Sequence, residues 1–173
     1  MELQACAFST PLGWIGVAGA NKEVWRLTMG HRRADDAWSD LRTRLADDSI
    51  TEADWHPKLK KLLERFAAGK VVSFAEILVR TKHRTEFQQR VLAATQAIEF
   101  GETISYGELA ARVGSPRAAR AVGAVMASNQ IPIIIPCHRV VGSRGELTGF
   151  SAPTGLDLKA RLLDMEQAAL SKP

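Results

Sequence analysis

Residues 105–129 read SYGELAARVGSPRAARAVGAVMASN and predict two short helices joined by a tight turn. Ser105 and Glu108 have the spacing of a capping box, in which each side chain bonds the backbone amide of the other residue. The first helix should therefore begin after Ser105 and run to about Val113.

The turn between the helices is marked by Gly114, which suits the position after a helix end. Ser115 followed by Pro116 predicts the N-cap and first turn of a second helix, which should run to about Asn129. Two such helices form a helix-turn-helix, a pattern that binds DNA in some folds and only packs helices together in others.

The second helix has one apolar side and one side of small residues. The apolar side consists of Ala118, Val122, Val125 and Met126. The opposite side consists of Arg117, Arg120, Ala121, Gly123, Ala124, Ala127 and Ser128. Because small side chains let a helix backbone come close to a partner and two arginines accompany them, a phosphate backbone is a candidate partner. Tight helix packing is the alternative.

An apolar run between two prolines, residues 131–136, precedes Cys137. The prolines exclude a regular interior strand throughout and predict a short, rigid, buried segment. His138 and Arg139 follow at once and could favour the thiolate, which is the nucleophilic form of cysteine. In an extended backbone the His138 ring would point away from the sulfur, so a bridging water would connect them. A buried structural cysteine is the alternative.

The composition is that of a globular protein. The chain has 173 residues, of which 46% are hydrophobic and 24% are charged. No apolar stretch is long enough to span a membrane, and the first residues lack the apolar centre of a signal peptide, which favours the cytoplasm. Two cysteines are too few for a disulfide framework.

The net charge of +4 permits an acidic partner without requiring one. Its distribution is uneven, because residues 112–144 contain arginines and no Lys, Asp or Glu. These arginines are Arg112, Arg117, Arg120, Arg139 and Arg144. They form either a solvated face or a surface for a polyanion.

The first half of the chain predicts a small sheet with helices beside it. Strands are expected at 14–18 and 24–29, with turns at 9–13 and 19–21. Helical spacing relates Trp38, Leu41 and Leu45, and again Leu59, Leu62, Leu63 and Phe66. A basic stretch at 80–84 and a Thr85-x-x-Gln88 capping pattern place a domain boundary there, which divides the chain into 1–84 and 85–173.

Several segments in the second half resemble the O6-alkylguanine-DNA alkyltransferases. Pro136-Cys137-His138-Arg139-Val140 is similar to the active-site signature of that family. Further matching segments are 87–91, 101–108, 117–123, Leu162-Leu163 and Glu166. The resemblance implies an α/β (α+β) fold, with a small ribonuclease-H-like N-terminal domain and a mainly helical C-terminal domain that contains a winged-helix-like helix-turn-helix.

The resemblance also implies direct-reversal DNA repair. In that family the thiolate at the position of Cys137 takes the alkyl group from O6-alkylguanine, and possibly from O4-alkylthymine, and keeps it after one turnover. The implied partner is double-stranded DNA, bound through the minor groove by a monomer with the damaged nucleotide flipped out. No cofactor is implied. Cys6, His31 and His56 do not have the spacing of a structural zinc site.

The family pattern assigns roles to individual residues. His138 would deprotonate Cys137 through a water, Glu166 would orient His138, and Asn129 would brace the segment. Tyr106 would donate to the leaving guanine and help rotate the nucleotide outward.

Arg120 would fill the gap left in the base stack. The helix contacts to DNA would come from Ala118, Ala119, Ala121 and Gly123. The base pocket would be lined by Met126, Val140, Phe150, Ser151 and Lys159.

The sequence departs from the family in three places. Gln130 replaces a frequent proline, Leu92 replaces a frequent tryptophan, and the loop 150–156 lacks paired glycines and is about two residues longer before Lys159. We expect this loop to crowd the base pocket and to weaken discrimination in favour of benzyl over methyl groups.

Three other functions are alternatives to alkyl transfer. A nonenzymatic alkyltransferase-like protein would bind damaged DNA but usually has tryptophan in place of the nucleophile, whereas Cys137 is present here. A helix-turn-helix transcription regulator would bind with sequence preference. A cysteine hydrolase would need an oxyanion motif that the sequence does not display.

Overall fold

The N-terminal half forms a four-stranded sheet flanked by two helices in the computed structural model, which describes residues 2–47, 49–150, 152 and 154–171. The strands are β1 (Gln4–Thr10), β2 (Gly13–Ala20), β3 (Glu23–His31) and β4 (Thr51–Glu52). Their order is β3-β2-β1-β4, in which β1 pairs antiparallel with β2, β2 pairs antiparallel with β3, and β4 runs parallel to β1. The helices are α1 (Ala34–Leu45) and α2 (Pro57–Ala67).

Both predicted strands and both predicted helices of this half are confirmed, with longer strands than expected. The expected turn at 9–13 is confirmed but shorter, since only Pro11 and Leu12 separate β1 from β2. The turn expected at 19–21 lies instead at Asn21 and Lys22, which both have positive φ. Strand β1 was not predicted, because it contains no β-branched residue before its last position and its alternation of buried residues is irregular.

The second half is mainly helical. Its helices are α3 (Glu86–Gln96), α4 (Tyr106–Arg112), α5 (Ala119–Ala127) and α6 (Leu156–Leu170). Two short strands, β5 (Ile104–Ser105) and β6 (Val140–Val141), pair in parallel. Helix α4 packs on α5 and both contact α3, which places the predicted helix-turn-helix beside the segment that carries Cys137.

Both predicted capping boxes are present. Thr85 and Gln88 cap α3, and Ser105 and Glu108 cap α4. The starts of α3 and α4 therefore follow from local sequence. The overall fold, with its sheet and helices, is mixed α/β, as predicted.

The predicted N-cap at Ser115 is wrong. The amides of Gly114 and Ser115 bond the carbonyls of Ala111 and Ala110, and Gly114 has a φ of +78°. These two bonds form a Schellman motif, so Ser115 completes the end of α4. Its carbonyl then accepts from Ala118 in a separate turn, and α5 begins only at Ala119.

The two halves share one apolar core. Phe66 of α2 packs edge-to-face against Phe74, Phe100 and the ring of His138. The backbone amide of Leu27 on β3 also bonds the carbonyl of Gln130. The division at residue 84 stays a prediction.

No helix among the described residues is both long and apolar enough to cross a membrane.

Candidate active site

The segment before Cys137 is buried and tightly turned. The amide of Ile134 bonds the carbonyl of Pro132 at 2.9 Å, and Ile133 between them has a φ of +70°. This is a γ-turn of the uncommon, strained kind, centred on a β-branched residue. The predicted short, buried segment before Cys137 is confirmed, since the isoleucines are buried, while its rigidity stays a prediction.

Asn129 ties the two ends of this segment together. Its Nδ2 donates to the carbonyl of Ile135 at 2.9 Å, and its Oδ1 accepts from the amide of Ile131 at 3.0 Å. Its side chain also hydrogen bonds Cys137. The position therefore requires an amide, because a carboxylate has no proton to donate and a hydroxyl group has a single oxygen where the two bonds use two separate atoms.

Cys137 begins a short 3-10 turn that ends at Arg139. It is 7% exposed. Burial raises the pKa of the Cys137 thiol above its ordinary value, while the hydrogen bond from Asn129 and the nearby ammonium of Lys159 act in the opposite direction. The thiol is thus held close to groups that favour its ionised form, within surroundings that oppose ionisation.

His138 is completely buried and its Nε2 lies 2.7 Å from Oε1 of Glu166. Among the residues described, its Nδ1 atom has no hydrogen-bond partner. Burial lowers the pKa of His138, although Glu166 acts in the opposite direction. Because an ionised carboxylate only accepts, the proton lies on Nε2, and Nδ1 keeps a free lone pair.

Arg139 does not face the thiol, which corrects the expectation that it helps to favour the thiolate. It is buried, and its guanidinium bonds both oxygens of Glu166 at 2.9 to 3.2 Å. Another nitrogen donates to the carbonyl of Ile98 at 2.6 Å. Since Glu166 also accepts from the amide of Gly101 and from Nε2 of His138, four N–H donors surround one buried carboxylate, two of them from Arg139.

This environment decides the charge of Glu166. Burial opposes its ionisation, but the hydrogen bonds and charges of His138 and Arg139 outweigh that effect and lower the pKa of Glu166 to about 2. The carboxylate is therefore ionised at neutral pH and can orient the imidazole.

Lys159 on α6 is also completely buried. Its Nζ donates to the carbonyl of Val140 at 2.7 Å and to the carbonyl of Thr148 at 3.0 Å. Burial lowers the pKa of Lys159, and the Cys137 thiol acts in the opposite direction. Lys159 thus anchors the strand that follows the 3-10 turn and places a positive charge near the sulfur.

A shallow cleft of about 400 Å³ lies between the start of α4 and the outer side of α5. Its lining includes Tyr106, Arg120, Gly123, Met126 and Thr148. The hydroxyl of Thr148 donates to the hydroxyl of Tyr106 at 2.8 Å. Thr148 was missed by sequence reasoning, because no motif marks a threonine that orients a tyrosine from a loop.

The small side of α5 faces outward as predicted, with Arg117, Arg120, Ala121 and Ala124 exposed and Gly123 half-buried. Its apolar side is buried through Val122, Val125 and Met126. Four of the five arginines between positions 112 and 144 are exposed. The fifth, Arg139, is internal.

The remaining residues assigned to the base pocket lie in different places. Val140 is fully buried on β6. Phe150 and Ala152 line a separate cavity against β3. They are not among the residues that line the cleft beside Tyr106. Ser151 and Pro153 lie outside the described residues.

Within the described ranges, no group of three or more His, Cys, Asp or Glu residues is arranged to hold a metal ion.

A buried Cys-His-Glu series beside a two-helix unit with a small, basic outer face defines a class of proteins with a reactive thiol next to a polyanion-binding surface. Residues 86–168 match the family described as "6-O-methylguanine DNA methyltransferase, DNA binding domain".

Two curated relatives match over most of their length. A constitutive methylated-DNA--protein-cysteine methyltransferase of Bacillus subtilis is 35% identical over 91% of this chain and 92% of its own. The methylated-DNA--protein-cysteine methyltransferase of Methanosarcina acetivorans is 36% identical over 92% of this chain and 95% of its own.

The solved structure of Mycobacterium tuberculosis OGT in complex with DNA is similar with a TM-score of 0.78 and 32% identity, over 98% of this chain and 94% of that one. The chain belongs to the methylated-DNA--protein-cysteine methyltransferase family.

Proposed function

We propose that this protein repairs DNA by moving an alkyl group from O6 of guanine to the sulfur of Cys137. The observation that carries the proposal is the buried series Cys137, His138 and Glu166, with Nε2 of His138 held 2.7 Å from the carboxylate. The two relatives are named for the same transfer, from methylated DNA to a protein cysteine.

The transfer is a displacement at carbon. A bond forms between Sγ of Cys137 and the alkyl carbon while the bond from that carbon to O6 breaks, and the electron pair leaves with guanine. His138 accepts the thiol proton through a water at Nδ1, which has a free lone pair because Nε2–H donates to Glu166. The carboxylate of Glu166, which its low pKa keeps ionised, stabilises the imidazolium that results.

The departing guanine gains negative charge, which a hydrogen-bond donor stabilises. Tyr106 is the donor we assign. Its hydroxyl accepts a hydrogen bond from Thr148, so its own proton is free to point elsewhere in the cleft.

Each molecule reacts once in this proposal. The product is a thioether, which lacks the carbonyl carbon that water attacks in an acyl-enzyme. Cys137 consequently stays alkylated, and the protein is consumed. O4-alkylthymine, which carries its alkyl group on a comparable oxygen, is a second substrate in this proposal.

The small face of α5 is the surface we assign to the minor groove of DNA. Ala121 and Ala124 are too short to read base edges, whereas they permit close approach of the helix. Because Cys137 is 7% exposed, a base within the duplex cannot reach it and the nucleotide must flip. Arg120, which is exposed at the cleft, would occupy the vacated place.

Charge supports this surface. If the four exposed arginines each neutralised one phosphate, the log-log dependence of affinity on salt would have a slope of about −3.6. We expect a slope no steeper than this, since Arg120 is assigned to the base stack.

The remaining features complete the proposal. The protein works as a monomer in the cytoplasm, its N-terminal sheet and helices are ribonuclease-H-like, and α4 with α5 forms part of a winged-helix-like unit. No cofactor takes part.

The test is to mix the protein with duplex DNA that contains O6-methylguanine labelled in the methyl group. We expect one label per protein, on the peptide that contains Cys137. Cys137→Ser should lose transfer and keep DNA binding, while the matched variant Cys6→Ser should keep both.

Other outcomes identify the alternatives. Many labels released per protein would indicate a hydrolase. Binding to the damaged duplex without transfer would indicate a damage-binding protein, and binding governed by sequence alone would indicate a regulator.

A further inference from the structure

A second cavity lies between the N-terminal sheet and the active-site segment, at the outer edge of β3. Its volume is about 130 Å³. That is enough for several water molecules and well below the volume of a pocket for a drug-sized ligand. The polar side chains in its lining are Arg26, Thr28, His31, Asp40, Arg44 and Asn129.

Arg26 is the distinctive residue of this cavity. Arg26 is only 8% exposed, and its Nε–H has no hydrogen-bond partner among the described residues. Burial and the neighbouring Arg44 lower the pKa of Arg26 to about 10, which leaves it charged at neutral pH. A buried guanidinium with an unpaired donor is costly unless an acceptor occupies the adjacent space.

The carboxylate of Asp40, which lines the cavity, is already engaged. Asp40 accepts from Nε of Arg44 at 2.6 Å and from the hydroxyl of Thr28. Because Thr28 donates its proton to Asp40, it accepts from Nε2 of His31. Asp40 is thereby paired with Arg44 and Thr28, and within the described part of the chain no carboxylate is bonded to Arg26.

We propose that this cavity binds a small tetrahedral oxyanion of the phosphate class, held by Arg26 and assisted by Arg44. A guanidinium offers parallel donors that match two oxygens of such an anion. The size of the cavity fits one anion and excludes a nucleotide.

The site borders the active-site segment, which couples its occupancy to the reaction centre. Asn129, which braces the residues before Cys137, also lines this cavity, as do Pro132 and Phe150. The bond from Leu27 to Gln130 fixes the same segment to β3. An anion here would therefore stabilise the position of the segment through the residues that the cavity and the segment share.

Thermal unfolding in inorganic phosphate, with chloride at equal ionic strength as the reference, tests the proposal. We expect a saturable increase in Tm of about 3 °C at ten times the dissociation constant. Arg26→Gln should abolish the increase, while Arg65→Gln, which removes an exposed arginine from α2, should keep it.

A second measurement needs no variant. In wild-type protein the Nε–H signal of Arg26 should shift in NMR spectra as phosphate is added. An equal increase in Tm for Arg26→Gln and wild type, the absence of a saturable increase, or an unchanged Arg26 signal would each overturn the proposal.

The anion can come from solution or from the DNA backbone. If the site takes a backbone phosphate, undamaged duplex competes with inorganic phosphate and Arg26→Gln lowers the salt slope of DNA binding by about 1. If it takes a free anion, duplex and phosphate bind independently. Neither measurement involves alkyl transfer, so this site and the proposed function fail or succeed separately.

Discussion

Nε2 of His138 lies 2.7 Å from Oε1 of Glu166, and the same carboxylate is the counter-ion of the buried guanidinium of Arg139. The carboxylate of Glu166 therefore orients the imidazole of His138 and also balances the buried charge of Arg139. Substitution at this position should affect both chemistry and stability, and the two effects must be measured separately.

Glu166→Gln should slow alkyl transfer at least about tenfold and lower the free energy of unfolding by about 3 kcal/mol, because Arg139 loses its counter-ion. Binding to undamaged duplex should change less than about twofold, since no DNA-facing residue is altered. Asp164→Asn, which removes an exposed carboxylate from the same helix, is the control.

A structural role alone would leave the pH dependence of transfer unchanged in the folded variant. Transfer rates measured well below the Tm of Glu166→Gln should instead show a displaced pH profile. An unchanged profile would contradict the orienting role.

Acid should destabilise the protein through the same pair. The pKa of Glu166 is about 2 in the folded state and 4.5 ordinarily, which corresponds to about 3 kcal/mol of stability at neutral pH. That contribution is present above pH 4.5 and is lost as the pH falls towards 2. Burial also lowers the pKa of His138 below its ordinary value of 6.5. The free energy of unfolding should therefore fall further as the pH drops below 6.5, because the unfolded chain then binds this proton more readily than the folded one.

Urea unfolding at several pH values between 7 and 3 measures this dependence. The loss between pH 5 and 3 should be smaller in Glu166→Gln than in wild type. Equal losses would mean that other carboxyl groups cause the acid sensitivity.

Local sequence patterns predicted the helix starts and the end of α4, because capping and left-handed turns depend on a few adjacent residues. They failed at Ser115, where the serine and proline of a helix start are used to complete the preceding helix end. Strand β1 was missed because its own residues carry a weak strand pattern, and its pairing with β4 depends on residues that are distant in the sequence.

The sequence predicted which residues form the candidate site, but it did not predict which groups each of them contacts. Sequence cannot show that Arg139 turns inward to Glu166, because an arginine beside a cysteine equally suits a thiolate partner. Full burial of Lys159 and the bond from Thr148 to Tyr106 depend on how α6 and its preceding loop pack.

Arg120→Ala should slow repair of a damaged duplex about tenfold or more, because a flipped nucleotide then leaves an unfilled stack. Repair of free O6-alkylguanine base should change less than about twofold, since no stack exists. Arg112→Ala, which removes another exposed arginine, should slow duplex repair less. Equal slowing of duplex and free base by Arg120→Ala would assign the residue to the chemistry instead.

Lys159→Met tests whether the buried ammonium favours the thiolate. The charge of Lys159 lowers the pKa of Cys137, and its removal should therefore raise that pKa and reduce the thiolate fraction at neutral pH. The buried carbonyl of Val140 also loses its donor, so the variant should be less stable by about 1 to 3 kcal/mol, whereas the carbonyl of the exposed Thr148 can bond water instead.

The measurement is the rate of iodoacetamide alkylation at each cysteine as a function of pH, followed by mass spectrometry below the Tm of the variant. Lys159→Met should move the Cys137 profile to higher pH and leave Cys6 unchanged. The chain supplies a matched control, because Lys60 lowers the pKa of Cys6, which burial raises to about 11. Lys60→Met should move the Cys6 profile alone. If the Cys137 profile of Lys159→Met coincides with that of wild type, Lys159 acts only as the anchor for Val140 and Thr148.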